Sequence, residues 1–242
     1  RSSAASDVYK RQACACFDNA GVAVLRSQAS GREPREQIQA VLKYGSHGGA
    51  HGHYDRASLT SLMRYGRSLF NPENVWYSYH TYLYKFYVQN SVTHNMVTVD
   101  LKQQDPAEPR RLLFYSGKAL QACAVENFGK WCNPPYGGWK VGSDATFEQR
   151  VWNEGRSIEI PADHPEYSSR SGFTENILTR RLLLVLDDYV LVYDCAEGRE
   201  DHNYDCLYHL QGLKEISKNC KLLRHTEKLE DNPLSSAQFI TC

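Results

Sequence analysis

Tyr44-Gly45-Ser46-His47-Gly48-Gly49-Ala50-His51-Gly52-His53-Tyr54-Asp55 follows the apolar run Ala40-Val41-Leu42 after the single residue Lys43. Between His47 and Asp55 it packs three imidazoles, three glycines and a carboxylate, a composition that no packing requirement explains. On an extended chain alternate side chains share a face, so His51 and His53 emerge side by side, with His47 two pleats upstream. Two parallel imidazoles suit a metal or an anion. Gly48, Gly49 and Gly52 remove side chains where a backbone or a ligand approaches closely, or where φ must be positive. The plainer alternative is a Gly/His-rich turn whose histidines are merely solvated.

Outward from this stretch, strand follows strand. Residues 21–27 and 37–44 are β-rich runs separated by the loop-like 29–36, a hairpin that delivers the histidine cluster. Residues 56–64 and 67–70 flank the turn Tyr65-Gly66. Residues 92–101 alternate Val92, His94, Met96, Thr98 and Asp100 against Thr93, Asn95, Val97, Val99 and Leu101, which predicts a strand with one face polar at its start. Residues 181–186 and 189–195 are nearly continuous apolar runs around Asp187-Asp188, predicting a hairpin buried on both faces. Residues 203–212 alternate again, and 129–142 reads as a long ordered loop. No helical stripe exceeds a few turns and no internal repeat is present. The predicted fold is all-β, a large antiparallel β-sandwich.

Composition bounds the function. With 242 residues, 41% of them hydrophobic and 12% aromatic, the chain can bury a full core as one large domain. Its 28 basic and 28 acidic residues cancel, so no electrostatic footprint points to nucleic acid or to a membrane surface. The longest purely aliphatic run, residues 182–186, is far short of the ~20 residues a spanning helix needs.

Residues 1–12 read as a non-native leader derived from a sequencing library, leaving 13–242 as the domain, with both of its ends expected to be cut. The eight cysteines fit an oxidising compartment, yet a chain this long does not need disulfides, and Cys14 and Cys16 lack metal-ligand spacing. Scattered thiols are the expected reading. His80, His164, His202, His209 and His225 have no partners at suggestive spacing and are expected to be surface or satisfied core histidines. Between the histidine cluster and His94 lie Trp76, Tyr77, Tyr79, Tyr82, Tyr84, Phe86 and Tyr87, rings on which sugars can stack and whose hydroxyls can donate to them, or which simply pack the core.

The 44–55 stretch, residues 66–72, the run Val92-Thr93-His94-Asn95-Met96-Val97-Thr98-Val99-Asp100 and, upstream of them, the strand at 21–26 resemble in content and order the heparinase II/III-like polysaccharide lyases, a family that includes oligo-alginate lyases. The resemblance spans most of 13–209. It implies the C-terminal β-sandwich of a lyase whose helical (α/α) toroid lies upstream, with the active cleft between the two.

The resemblance further implies that His51 sits beside the substrate carboxylate, with Tyr82 and Asn95 as substrate contacts, while His53 and His94 ligate a structural zinc. A third metal ligand is expected at position 71, where this chain has Asn71 instead of the family's aspartate. An amide is a weaker zinc ligand and carries no charge, so Asp55 is a substitute, unless Tyr54-Asp55 serves to tie down the turn. The implied reaction is β-elimination on an acidic uronate polysaccharide, alginate or heparin/heparan-sulfate-like. The C5 proton is removed once the carboxylate charge is offset, and the C4 oxygen leaves. The proton-transfer groups belong to the toroid, so this chain alone is expected to have little activity. The resemblance also implies a secreted or periplasmic protein. Competing readings are a cupin-like metal protein, disfavoured because no glutamate follows His53 until Glu73, and a noncatalytic carbohydrate-binding sandwich.

Overall fold

The structure is a computed structural model, and it describes residues 14–47, 52–70, 88–132, 172–212 and 215, with the backbone alone of two strands at 221–224 and 238–241. His51, Asn71 and Tyr82 lie outside the described residues, as does the aromatic segment at 76–87.

The strands in chain order are β1 (Ala15–Phe17), β2 (Val22–Arg26), β3 (Gln39–Lys43), β4 (Ser58–Arg64), β5 (Arg67–Ser68), β6 (Val97–Val99), β7 (Gln103–Gln104), β8 (Arg110–Ser116), β9 (Gln121–Gly129), β10 (Trp131–Cys132), β11 (Ile177–Val185), β12 (Val190–Glu197), β13 (Tyr204–Cys206), β14 (Lys221–Arg224) and β15 (Gln238–Thr241). The first five form one antiparallel sheet in sequential order. A second antiparallel sheet runs β12-β11-β9-β8. Pairs β10 with β7, β13 with β6, and β14 with β15 complete the fold.

The two main sheets meet face to face because their strands alternate. Along β2 and β3 every second residue is buried, so Ala23, Leu25, Ala40 and Leu42 form one inward face in the register Leu25 opposite Ala40 and Ala23 opposite Leu42. On the other sheet Cys123 of β9 pairs with Leu183 of β11, and both join Val125 and Val185. All eight belong to one core cluster, which is a sandwich interior shared by both sheets. Each leucine-sized side chain buried there contributes about 1.5–3 kcal/mol. The all-β sandwich predicted from the strand pattern is therefore the observed fold.

Two local expectations are corrected. The hairpin around Asp187-Asp188 forms, but β12 is an edge strand, with Leu191 45% and Tyr193 61% exposed. Its run is apolar on both faces, so alternation could not reveal which face lacks cover. The strand expected over 92–101 shortens to Val97–Val99, because Ser91–Thr93 forms a 3-10 turn. Asn90 causes this: its side-chain oxygen accepts the Val92 N–H at 3.1 Å, and its carbonyl accepts the Thr93 hydroxyl at 2.8 Å. These local bonds satisfy backbone that a strand would have satisfied by pairing. After β6 the chain turns through Asp100 and Leu101, both at positive φ, 52° and 53°.

Gly21 fixes the exit of β3. It has φ +63°, and a Cβ there would lie 1.9 Å from the Gly45 Cα. That closeness lets the Gly21 carbonyl accept from both the Tyr44 N–H, at 2.6 Å, and the Gly45 N–H, at 2.9 Å. The chain is thereby clamped at the root of the histidine stretch. Cys14, Cys16, Cys123, Cys195 and Cys206 are free thiols, Cys123 buried. No helix among the described residues is long and apolar enough to cross a membrane.

Candidate functional site

His53, Asp55 and His94 come together, with one ligand atom of each within 4.8 Å of the others. His53 and Asp55 lie between the clamp at Gly45 and the start of β4, and His94 follows the 3-10 turn. His53 Nδ1 is 3.0 Å from His94 Nε2, and His94 Nε2 is 3.8 Å from Asp55 Oδ2. Asp55 and His94 are 3% and 4% exposed.

Neighbouring groups set the chemistry of this trio. His94 Nδ1 lies 2.7 Å from the Asn90 carbonyl, which can only accept, so Nδ1 carries a proton and Nε2 is the nitrogen turned toward His53 and Asp55. The turn that shortened the predicted strand thus orients the imidazole. His53 is pushed down to about 4 by burial, reinforced by His94, and so is neutral at ordinary pH. Burial alone would raise the Asp55 carboxyl, but the charges of His94 and Lys43 and the Lys43 hydrogen bond more than offset it, so Asp55 lies below the usual carboxylate range. Lys43 Nζ is 2.6 Å from Asp55 Oδ1.

Two imidazoles and one ionised carboxylate form a zinc-type donor set. Tetrahedral zinc with ligand bonds of about 2.0–2.1 Å separates its ligand atoms by ~3.3 Å. The observed 3.0 and 3.8 Å bracket that value for the two pairs that include His94, and the His53–Asp55 pair lies within 4.8 Å, so the donor types and spacing suit such an ion. His53 Nδ1 would have to shed its proton to become a donor.

The second sheet supports the site from behind. Arg181, 2% exposed, makes two bonds to Asp194, at 2.7 and 2.8 Å, and its Nη1 donates to the Asn95 carbonyl at 2.5 Å. The Asn95 amide donates to the Leu59 carbonyl at 3.0 Å and accepts the His209 N–H at 2.6 Å. Asn95, which follows His94 in the chain, is 5% exposed and works as a strut between β4 and the loop after β13. His47 stacks at 4.2 Å on Tyr54. His202 is satisfied by two carboxylates, Asp100 at 2.8 Å and Glu175 at 3.1 Å.

Sequence reasoning missed Lys43, Asn90 and Arg181. Asn90-Ser91 ahead of an apolar residue is a legible capping signal, whereas Lys43 and Arg181 looked like the polar ends of apolar strands.

No family model matches the chain, and no curated protein matches it. Among solved structures, heparinase III (the BT4657 gene product) with methylated lysines aligns with a TM-score of 0.56 at 16% identity, over 87% of this chain and 26% of that one. A second heparinase III structure of the BT4657 gene product aligns with a TM-score of 0.55, at the same identity and coverage. The heparan sulfate lyase HepC from Pedobacter heparinus aligns with a TM-score of 0.48 at 17% identity, over 78% and 22% of the two chains. This chain spans about a quarter of the length of the heparinase III it matches. Its β-sandwich is similar in fold to part of heparinase III, the likeness that its histidine motifs had suggested.

Proposed function

We propose that the chain is the β-sandwich portion of a secreted or periplasmic polysaccharide lyase acting on a uronic-acid polymer by β-elimination. The observation that carries this reading is the meeting of His53, from the His51-Gly52-His53 triplet, with His94, from the second motif, at 3.0 Å. Two motifs that suggested one family thus converge on one set of donor atoms, on a fold like that of heparinase III.

In this reading His53, Asp55 and His94 hold a zinc ion, with Asp55 taking the place expected for Asn71. The ion would supply structural bracing rather than Lewis-acid chemistry. His51, two residues before His53, stands beside the substrate carboxylate. An imidazole can donate to that carboxylate and offset its charge, which acidifies the neighbouring C5 proton. Tyr82 is a substrate contact. Asn95, being buried, supports His94 from behind instead of meeting sugar. A helical domain supplies the groups that take the C5 proton and protonate the departing C4 oxygen.

The test is turnover on heparan sulfate, heparin and alginate, followed by the ultraviolet absorbance of the unsaturated product. The chain alone is expected to be silent, and the protein extended by its upstream reading frame to be active. His51→Ala in that longer protein is expected to lower kcat by about 10² or more. A longer protein that eliminates none of these polymers overturns the reading. Robust turnover by the chain alone overturns the division of labour between the two domains.

A further inference from the structure

We infer that Lys43 is a positioning residue that fixes the cation preference of the His53, Asp55 and His94 cluster. It does so by capping one oxygen of Asp55, leaving a single carboxylate oxygen to face the imidazoles. This inference rests on the metal reading of that cluster and goes beyond it.

The geometry is specific. Lys43 closes β3 opposite Ser58 of β4, and its Nζ reaches Asp55 Oδ1 at 2.6 Å, while the other oxygen, Oδ2, is the one turned toward His94 Nε2. The Asp55 side chain is only 4% exposed, so it cannot swing into water to exchange its oxygens. The Lys43 side chain is 26% exposed, which leaves its stem packed and its ammonium partly wet. His94 is fixed from its far side by the Asn90 carbonyl, which holds its Nε2 toward Asp55.

Two consequences follow. The cluster offers two nitrogens and one oxygen, a set suited to a small four-coordinate ion that accepts nitrogen donors, as zinc does. Manganese and calcium favour more oxygens, and a carboxylate chelating through both of its oxygens is one way to supply them. Lys43 blocks that way. Its positive charge also offsets that of Asp55.

The experiment titrates the metal-free chain with zinc and with manganese by chelator competition, and compares the ratio of the two dissociation constants between wild type and variants. Lys43→Met keeps the apolar stem and frees Oδ1, and Lys43→Ala frees it without the stem. Lys43→Arg retains a charged donor that can cap Oδ1. The ratio is expected to move toward manganese by at least about tenfold in Lys43→Met and Lys43→Ala, and to stay near wild type in Lys43→Arg. A merely structural lysine would move both constants together. If both move in parallel, or neither moves, in the Met and Ala variants while wild type binds zinc, the role of Lys43 is overturned and the metal site stands. A wild-type chain that binds neither ion overturns the metal site and this inference with it.

Discussion

His53 Nδ1 stands 3.0 Å from His94 Nε2, although 41 residues separate the two in sequence. With the His94 Nδ1 proton committed to the Asn90 carbonyl, Nε2 is the nitrogen that meets His53. Nothing in the core requires two imidazoles edge-on at 5.2 Å between ring centres beside a buried carboxylate. A cation would replace one proton and draw on all three groups at once.

Zinc is therefore expected to raise the melting temperature of the chain. Binding only to the folded state stabilises it by about 2.7 kcal/mol when the free ion is at 100 times its dissociation constant. His53→Ala and His94→Ala should each abolish the zinc-dependent shift, and elemental analysis of the purified wild type should find about one equivalent of metal. An unchanged melting point on adding zinc, with no metal in the protein, would refute the site.

Replacing Arg181 by methionine is expected to cost about 3–5 kcal/mol in urea unfolding, since it strands Asp194 and the Asn95 carbonyl without their buried partner. Because Asn95 adjoins His94, the same variant should also weaken the zinc shift. A loss below about 1 kcal/mol would mean that the guanidinium is not the strut between β11 and the site.

Gly21→Ala should be more damaging than a surface substitution of similar size. Its backbone has φ +63° and the new Cβ would fall 1.9 Å from the Gly45 Cα, so the clamp on the β3 exit must open. Gly66→Ala makes the control, because it shares a positive φ, +72°, but has nothing within 4 Å. Equal destabilisation of the two variants in denaturant titrations would show that the close approach to Gly45 carries no energy of its own.

The strand pattern made the sandwich legible because alternation in β2 and β3 marks the buried face directly, as the pairs Leu25 with Ala40 and Ala23 with Leu42 show. It failed where periodicity is ambiguous. The β12 run is apolar on both faces, so Tyr193 looked as buried as Val192. Residues 92–96 kept a strand's alternation, while Asn90 captured their backbone for a turn. For the site, residue type and order picked out His53, His94 and Asp55, but Lys43 reaches Asp55 only through the pairing of β3 with β4. A contact set by tertiary register leaves no local mark.

His202 offers a pH prediction remote from the metal cluster. Its Nδ1 meets Asp100 at 2.8 Å and its Nε2 meets Glu175 at 3.1 Å, joining the turn after β6, the segment before β11 and the loop before β13. The Glu175 bond first, and Asp100 second, raise His202 above its ordinary 6.5. Glu175 is lowered to about 2, chiefly by the Glu200 backbone N–H and then by His202, while Asp100 is lowered chiefly by the Asn203 N–H. A raised histidine stabilises fully below its unfolded pKa of 6.5, and that contribution is lost as pH rises through its folded value. Lowered carboxylates stabilise above their unfolded values near ~4, and that contribution is lost as pH falls toward their folded ones. The network should therefore be strongest at about pH 5–6.5, with one limb of decline on each side. Urea unfolding across pH 3–9 measures it. In His202→Gln the alkaline limb should flatten, since no group is left there to release its proton. A wild-type curve that does not decline above neutrality, or a His202→Gln curve that keeps the wild-type slope there, would show that the imidazole is not held protonated between the two carboxylates.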